Sequence, residues 1–185
     1  MGQNPGRHID VGSRIDGFVA HLACVRTIEV FDIRPLSVNI QNVTFRQWDI
    51  TQSAKEFHGV SDCVSCLHTL EHIGLGRYAD KVDPDGWKLG FKNLSMLLSY
   101  GGHLWLSVPI GREHVGFNAH RVFDPATIRD YGIVLGLALE EFTYYDGSDL
   151  NTSVSIDDDM KRMAIVDYGL GIFLFRKENG LVTDA

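Results

Sequence analysis

The chain has 185 residues, 44% hydrophobic and 22% charged, with 17 Lys plus Arg against 24 Asp plus Glu for a net charge of −7. This is the composition of an ordinary globular protein, long enough for one domain over residues 1–185 with a substantial core, and its acidic balance argues against a nucleic-acid duplex as partner. No apolar run reaches the ~18 residues of a membrane span, and the opening "MGQNPGRHID" has no apolar signal core, so a cytoplasmic location is expected.

The predicted elements alternate. "RHIDVG", 7–12, reads as an apolar strand closed by a glycine. "SRIDGFVAHLA" follows with Ile15, Phe18, Val19 and Leu22 at helical spacing and Ser13 as its N-cap. "TIEVFDI", "NVTFRQWDI" and "DCVSCL" are the second, third and fourth strands. "GWKLGFKNLSMLLSYGG" predicts a helix with Trp87, Phe91, Leu94 and Leu98 on one face, stopped by Gly101 and Gly102. "HLWLSVP" is a fifth strand. "DPATIRDYGIVLG" opens a helix with Asp124 as N-cap and Pro125 in its first position. "LALEEFTYYD" and "LGIFLFRK" close the list of strands, and Asp157, Asp158 and Asp159 between them read as a solvated loop. Strands alternating with helices predict an α/β fold, a mostly parallel sheet covered on both faces.

Two local patterns suggest metal or redox chemistry. Cys63 and Cys66 form a C-x-x-C, but on a strand residues three apart face opposite ways, which makes both structural. "CLHTLEHIG" contains His68-x-x-Glu71-His72, the inverted motif of a zinc peptidase. Two histidines four apart share a metal only on a formed helix. Here the motif straddles a strand end and a short turn before Gly74 and Gly76, so the rings are not expected to converge on an ion and no metal is assigned.

In a doubly wound sheet, ligands bind beyond the C-terminal strand ends. The first strand ends in Asp10-Val11-Gly12, the second in Asp32, the third in Asp49-Ile50 and the fourth in Leu67-His68. Asp32 lies 20 residues past Gly12, the spacing of a ribose-binding acid in a βαβ unit. A nicotinamide enzyme would share that acid but carry G-x-G-x-x-G. The sequence here is Gly12-Ser-Arg-Ile-Asp-Gly17, with a single glycine at the turn.

From His8 to about Arg176, these segments resemble the class I S-adenosylmethionine-dependent methyltransferases. "HIDVGS" resembles the family's first motif, "VFDI" its second-strand acid, "WDI" its third motif, and "SDCVSCLHTLEHI" the fourth-strand motif of the small-molecule branch, with Leu70, Glu71 and His72 as its Leu-Glu-His. "GGHLWLSVP" and "HRVFDPATIRDYG" resemble the fifth strand and the segment after it. "DVGSR" is similar to an uncharacterised bacterial branch associated with surface-polysaccharide genes. The resemblance implies a Rossmann-like, doubly wound, seven-stranded sheet with an antiparallel last strand. It implies S-adenosyl-L-methionine as cofactor, held by Asp10, Gly12, Ser13, Asp32, Ile33, Asp49, Ile50, Leu67 and His68. The acceptor would be an oxygen or nitrogen of a small molecule, a sugar or polysaccharide precursor among the candidates.

Arg14 and Asp16 replace the usual second and third glycines, and the helices that commonly precede the first strand and lid the cofactor are not expected in so short a lead. Glu71 and His72 are read chiefly as fastening their turn. The polar segment "GREHVGFNAHRVF", 111–123, reads as an open loop that should lie over the substrate mouth, where His114 and His120 join His68 as candidate bases. A nicotinamide-dependent oxidoreductase and a non-catalytic adenosyl-ligand-binding domain of the same fold remain open alternatives.

Overall fold

The structure, a computed structural model, describes residues 5–179 except 16, 38, 54 and 79. Asp16, one of the two residues standing in for a motif glycine, lies outside the described residues.

The elements run β1 (His8–Val11), α1 (Phe18–Ala23), β2 (Ile28–Asp32), β3 (Val43–Gln47), β4 (Ser61–Leu67), α2 (Gly86–Leu97), β5 (Leu98–Ile110), β6 (His114–Gly116), β7 (His120–Val122), α3 (Pro125–Val134), β8 (Leu137–Tyr145), β9 (Leu150–Thr152), α4 (Ile156–Met163) and β10 (Gly169–Lys177). Eight strands form one sheet in the order β3-β2-β1-β4-β5-β10-β8-β9. The β3-β2-β1-β4-β5 pairings are parallel. β10 runs antiparallel to both its neighbours, and β9 antiparallel to β8. The Rossmann-like α/β expectation holds, with the last strand antiparallel as expected. The sheet has one strand more than expected, because β9 is three residues long, too short for a periodicity to show.

The period of two sorts the strand side chains between faces. Ile9, Val11, Phe31, Val64, Cys66, Leu104 and Leu106 join Phe91 and Leu94 of α2 and Ile128 of α3 in the larger core. Ile28 and Val30 pack with Val19 and Ala23 of α1 in the smaller one. Asp124 caps α3 as expected, accepting from the Ala126 amide at 2.8 Å, with Pro125 in the first turn.

Four local expectations are corrected. α2 ends at Leu97 and β5 starts at Leu98, so Gly101 and Gly102 lie inside a strand. Between Ser61 paired with Leu98 and Cys63 paired with His103 the register slips. Gly101 supplies a φ of +76° there, and a Cβ on Gly102 would sit 2.9 Å from the Ser99 carbonyl. The same glycines that end helices also make such bulges. α1 begins only at Phe18, behind Gly17 at φ 58°, so Ser13 is not its cap. The three acids at 157–159 form the first turn of α4, with Lys161 and Arg162 in its last, the polarity a helix dipole favours. The 111–123 stretch contains the β6–β7 hairpin rather than an open loop.

Candidate functional site

The C-terminal ends of β1 to β4 surround a cavity of about 430 Å³, within the ~300–1,000 Å³ of small-molecule sites. It lies where the strand order reverses between β1 and β4, the switch point at which such sheets bind ligands. Gly12, Ser13, Asp32, Ile33, Asp49, Ile50, Leu67 and His68 all line it. Asp10, the ninth predicted residue, does not. It is fully buried behind the turn, accepting from the Ser13 amide at 3.3 Å and the Ser65 hydroxyl at 2.5 Å.

Gly12 makes the turn with φ +82°, and a Cβ there would fall 2.2 Å from the Thr69 methyl. No side chain fits between β1 and the turn after β4. Asp49 accepts from the amide and hydroxyl of Thr51 at 2.9 and 2.8 Å, an Asx-type turn that fixes the end of the third strand segment. Asn93 of α2 donates to the Ile50 carbonyl at 2.6 Å and ties that turn to the helix.

Asp32 is already engaged. The Arg34 side chain donates from Nε to Oδ1 at 2.9 Å and from Nη2 to Oδ2, and its amide also donates to Oδ1 at 2.8 Å. Arg34 Nη2 reaches the Gly12 carbonyl at 3.1 Å, and the guanidinium lies 5.3 Å from the centre of the Tyr78 ring. Sequence reasoning missed Arg34, although its place two residues after the strand-end acid was visible. It also missed Tyr78, Asp80, Thr69, Ile73 and Trp48 in the wall. Trp48 precedes Asp49 and could have been found as an aromatic at a strand end. Tyr78 and Asp80 come from a loop with no periodic signal, organised by Asp80 accepting from the amides of Gly74 and Tyr78 at 2.7 and 3.1 Å.

The His68-x-x-Glu71-His72 motif does straddle a strand end and a 3-10 turn, Leu70–His72. Both rings lie beside one carboxylate. His68 Nδ1 lies 3.1 Å and His72 Nε2 3.8 Å from the same oxygen, Glu71 Oε1. A backbone φ of 52° at His68 turns the chain at once after the strand. Glu71 is 2% exposed and its other oxygen has no partner. His72 Nδ1 is held by the Ala119 carbonyl at 2.6 Å, so it fastens the turn to the hairpin. Among the described residues no three His, Cys, Asp or Glu side chains are placed to share a metal ion. Cys63 and Cys66 are buried free thiols, and burial pushes both upward, Cys63 to about 11.

Of the candidate bases, His68 alone lines the cavity. His114 is exposed on β6 and bonds the Arg112 carbonyl at 2.8 Å. His120 packs edge-on against Tyr168 at 5.8 Å. Arg121 points inward, away from any mouth. Its guanidinium donates to the carbonyls of Ile73 and Pro84 at 2.5 and 3.2 Å, with longer contacts to Glu71 and Asp83, and burial lowers its pKa.

Residues 26–163 match the family described as "Caenorhabditis protein of unknown function, DUF268". The chain belongs to this family. No curated protein matches it. Among solved structures, the [4+2]-cyclase SpnF aligns over 94% of this chain and 76% of its own, at TM-score 0.66 and 14% identity. The N-methyltransferase NodS from Bradyrhizobium japonicum WM9, in complex with S-adenosyl-L-homocysteine, aligns over 95% and 79% at 0.58 and 16%. The 1,6-didemethyltoxoflavin-N1-methyltransferase of Burkholderia thailandensis, with its substrate and S-adenosylhomocysteine bound, aligns over 96% and 73% at 0.62 and 13%. At such identities the likeness is one of fold, and that fold is the class I methyltransferase fold. Among the described residues no helix is long and apolar enough to cross a membrane.

Proposed function

We propose that the protein is an S-adenosyl-L-methionine-dependent methyltransferase acting on an oxygen or nitrogen of a small molecule. The observation that carries this reading is the cavity at the switch point, with Gly12, Asp32 and Asp49 each brought to it by a different strand end. Two buried polar atoms beside the cavity, Ser13 Oγ and Trp48 Nε1, lack a hydrogen-bond partner among the described residues. Orphaned groups of this kind mark a place where a polar ligand completes the bonding. The two neighbours solved with S-adenosylhomocysteine support the same ligand class.

In this reading Asp32 accepts the ribose hydroxyls, Asp49 and Ile50 face the adenine, and the Gly12–Ser13 turn borders the methionine portion. The bound cofactor supplies a methyl group already activated by its sulfonium. The protein's contribution is to bring the acceptor atom in line and to exclude water. Glu71 fixes His68 through Nδ1, which leaves Nε2 as the ring nitrogen able to take a proton from the acceptor. A cytoplasmic enzyme with a sugar-type acceptor, comprising one domain, fits the sequence resemblance.

The nicotinamide alternative is less well supported, because a pyrophosphate binds at a helix N-terminus that follows the turn directly. Here α1 starts six positions after Gly12. The fold also serves other reactions, as in the [4+2]-cyclase SpnF.

The test is calorimetric titration of the protein with S-adenosylhomocysteine and with NAD. Binding of the adenosyl ligand and not NAD is expected. Asp32→Ala should weaken that binding roughly ten- to a hundredfold, the loss of one or two charge-assisted hydrogen bonds, while the melting temperature stays close to wild type. Heat from NAD alone would overturn the proposal.

A further inference from the structure

Behind the Gly12 turn, four polar side chains form a continuous line that the proposed chemistry does not use. Arg26, between α1 and β2, places Nη2 2.7 Å from His8 Nδ1. His8 Nε2 lies 2.8 Å from Ser65 Oγ. Ser65 donates to Asp10 Oδ2 at 2.5 Å, and Asp10 Oδ1 accepts from the Ser13 amide at 3.3 Å. The parallel pairing of β1 with β4 sets Asp10 opposite Ser65, and the period of two puts His8 on the same face as Asp10. His8, Ser65 and Asp10 are all buried.

The direction of this line is fixed. A guanidinium has donors only, so His8 Nδ1 must accept and the ring proton sits on Nε2. That proton goes to Ser65 Oγ, and the serine hydroxyl proton goes to Asp10. Every bond donates toward the carboxylate, with a cation at one end and an anion at the other. A protonated Asp10 donating to Ser65 would need the serine to donate to His8 Nε2 and the ring proton to move to Nδ1. There it would face the Arg26 donor; a protonated Asp10 could instead use the second lone pair of the serine oxygen, but the serine proton would then lose its carboxylate acceptor, so the line favours the ionised form.

We infer that Arg26, His8 and Ser65 are positioning residues that keep Asp10 ionised, and so hold the Gly12–Ser13 turn in the shape that binds the adenosyl ligand. This rests on the methyltransferase reading of the cavity.

The charges around the line agree. Burial pushes Asp10 up to about 6, against the Ser65 and Ser13 bonds that pull it down, with Asp32 on β2 adding a further push upward. Burial first and Arg26 second hold His8 down at about 4, against Asp62, which favours its charged form. The thiols of Cys63 and Cys66 on β4 stay protonated, pushed up by burial, the Asp10 charge and, at Cys66, Glu71. Asp10 is therefore a carboxylate poised just below neutrality, and the relay decides on which side it stands.

The experiment measures the dissociation constant of S-adenosylhomocysteine from pH 5 to 8.5 for wild type, Ser65→Ala and Arg26→Met. For wild type, affinity should fall as pH drops through about 6. In Ser65→Ala the midpoint should move up by roughly one pH unit or more, the worth of one charge-assisted hydrogen bond, and in Arg26→Met in the same direction by less. Binding at pH 7 is then weakened by about two- to tenfold and is nearly normal at pH 8.5. A carbon-13 titration of the Asp10 carboxyl in the ligand-free proteins should show the same upward shift. Variants that weaken binding equally at every pH, or leave both midpoints in place, would overturn the relay and leave the methyltransferase reading standing. A wild type that binds no S-adenosylhomocysteine at any pH would overturn that reading, and the relay's role in binding with it.

Discussion

The two halves of the site are built in different ways. The half at the ends of β1 to β3 hangs on residues within two positions of a strand end: Gly12, Asp32, Arg34 and Asp49. Its bonds are short in sequence, such as Arg34 to Asp32 and Thr51 to Asp49. The half beyond β4 and β5 is assembled from loops joined over long separations. Arg121 holds carbonyls 37 to 50 residues away, and His72 meets Ala119 across 47. The sheet positions the first half directly. It only anchors the second, whose shape depends on a few buried caps. Chemistry common to the fold falls in the first half, and whatever distinguishes one acceptor from another would fall in the second.

The largest expected effect comes from filling the tightest contact of the first half. Gly12→Ala must place a methyl group into the Thr69 side chain while keeping a left-handed backbone. Strain of ~1–2 kcal/mol and overpacking of ~1–3 kcal/mol together should lower stability by about 3 kcal/mol, with adenosyl-ligand binding lost. The double variant with Thr69→Ala removes the contacts at 2.2 and 2.5 Å but leaves the residue-69 Cβ at 2.9 Å and the φ unchanged, so denaturant melts should recover only part of the loss. Full recovery would mean that the close approach, and not the backbone, is what demands glycine.

A smaller loss is expected in the second half. Arg121→Met keeps the apolar stem but leaves the partly buried carbonyls of Ile73 and Pro84 without their donor. A buried group left unsatisfied costs ~1–3 kcal/mol, and these carbonyls are only partly buried, so stability should fall by about 1 kcal/mol. Hydrogen exchange should rise in residues 73–84, while S-adenosylhomocysteine binds within tenfold of wild type. Equal losses of binding in Gly12→Ala and Arg121→Met would erase the distinction between the halves.

That contrast also explains what the sequence revealed. Seven strands, the Asp124 cap and all eight cavity-lining residues named in advance were legible, because each depends on a periodic run or on the residue that ends it. Asp10 was visible as a strand-end acid, but its inward turn toward Ser65 depends on the β1–β4 register, which no local pattern encodes. Tyr78 and Asp80 belong to a non-periodic loop, and Arg121 sits on the three-residue β7, its inward position set by carbonyls of distant segments. His114 and His120 looked like mouth residues only while 111–123 was read as an open loop. Once it pairs as a hairpin, their rings lie along it, outside the cavity wall.

The smallest expected effect tests how complete the first half is by itself. Arg34 takes both oxygens of Asp32 and a contact with the Gly12 carbonyl. A ribose diol bound at Asp32 would need those same oxygens, so Arg34 stands as its competitor. The pair is half open to solvent on the arginine side, 40% exposed, and such pairs contribute ~0–1 kcal/mol to stability. Arg34→Met should therefore melt within a few degrees of wild type, with its apolar stem still packed beside Tyr78. With the competitor gone, S-adenosylhomocysteine should bind about three- to fivefold more tightly, a change under ~1 kcal/mol. The gain should vanish in the Asp32→Ala background, where there is no carboxylate to contest. Weaker binding in Arg34→Met would assign the guanidinium to the ligand's cradle instead. The first half would then require a residue outside the strand-end pattern, and the line between the two halves would have to be drawn elsewhere.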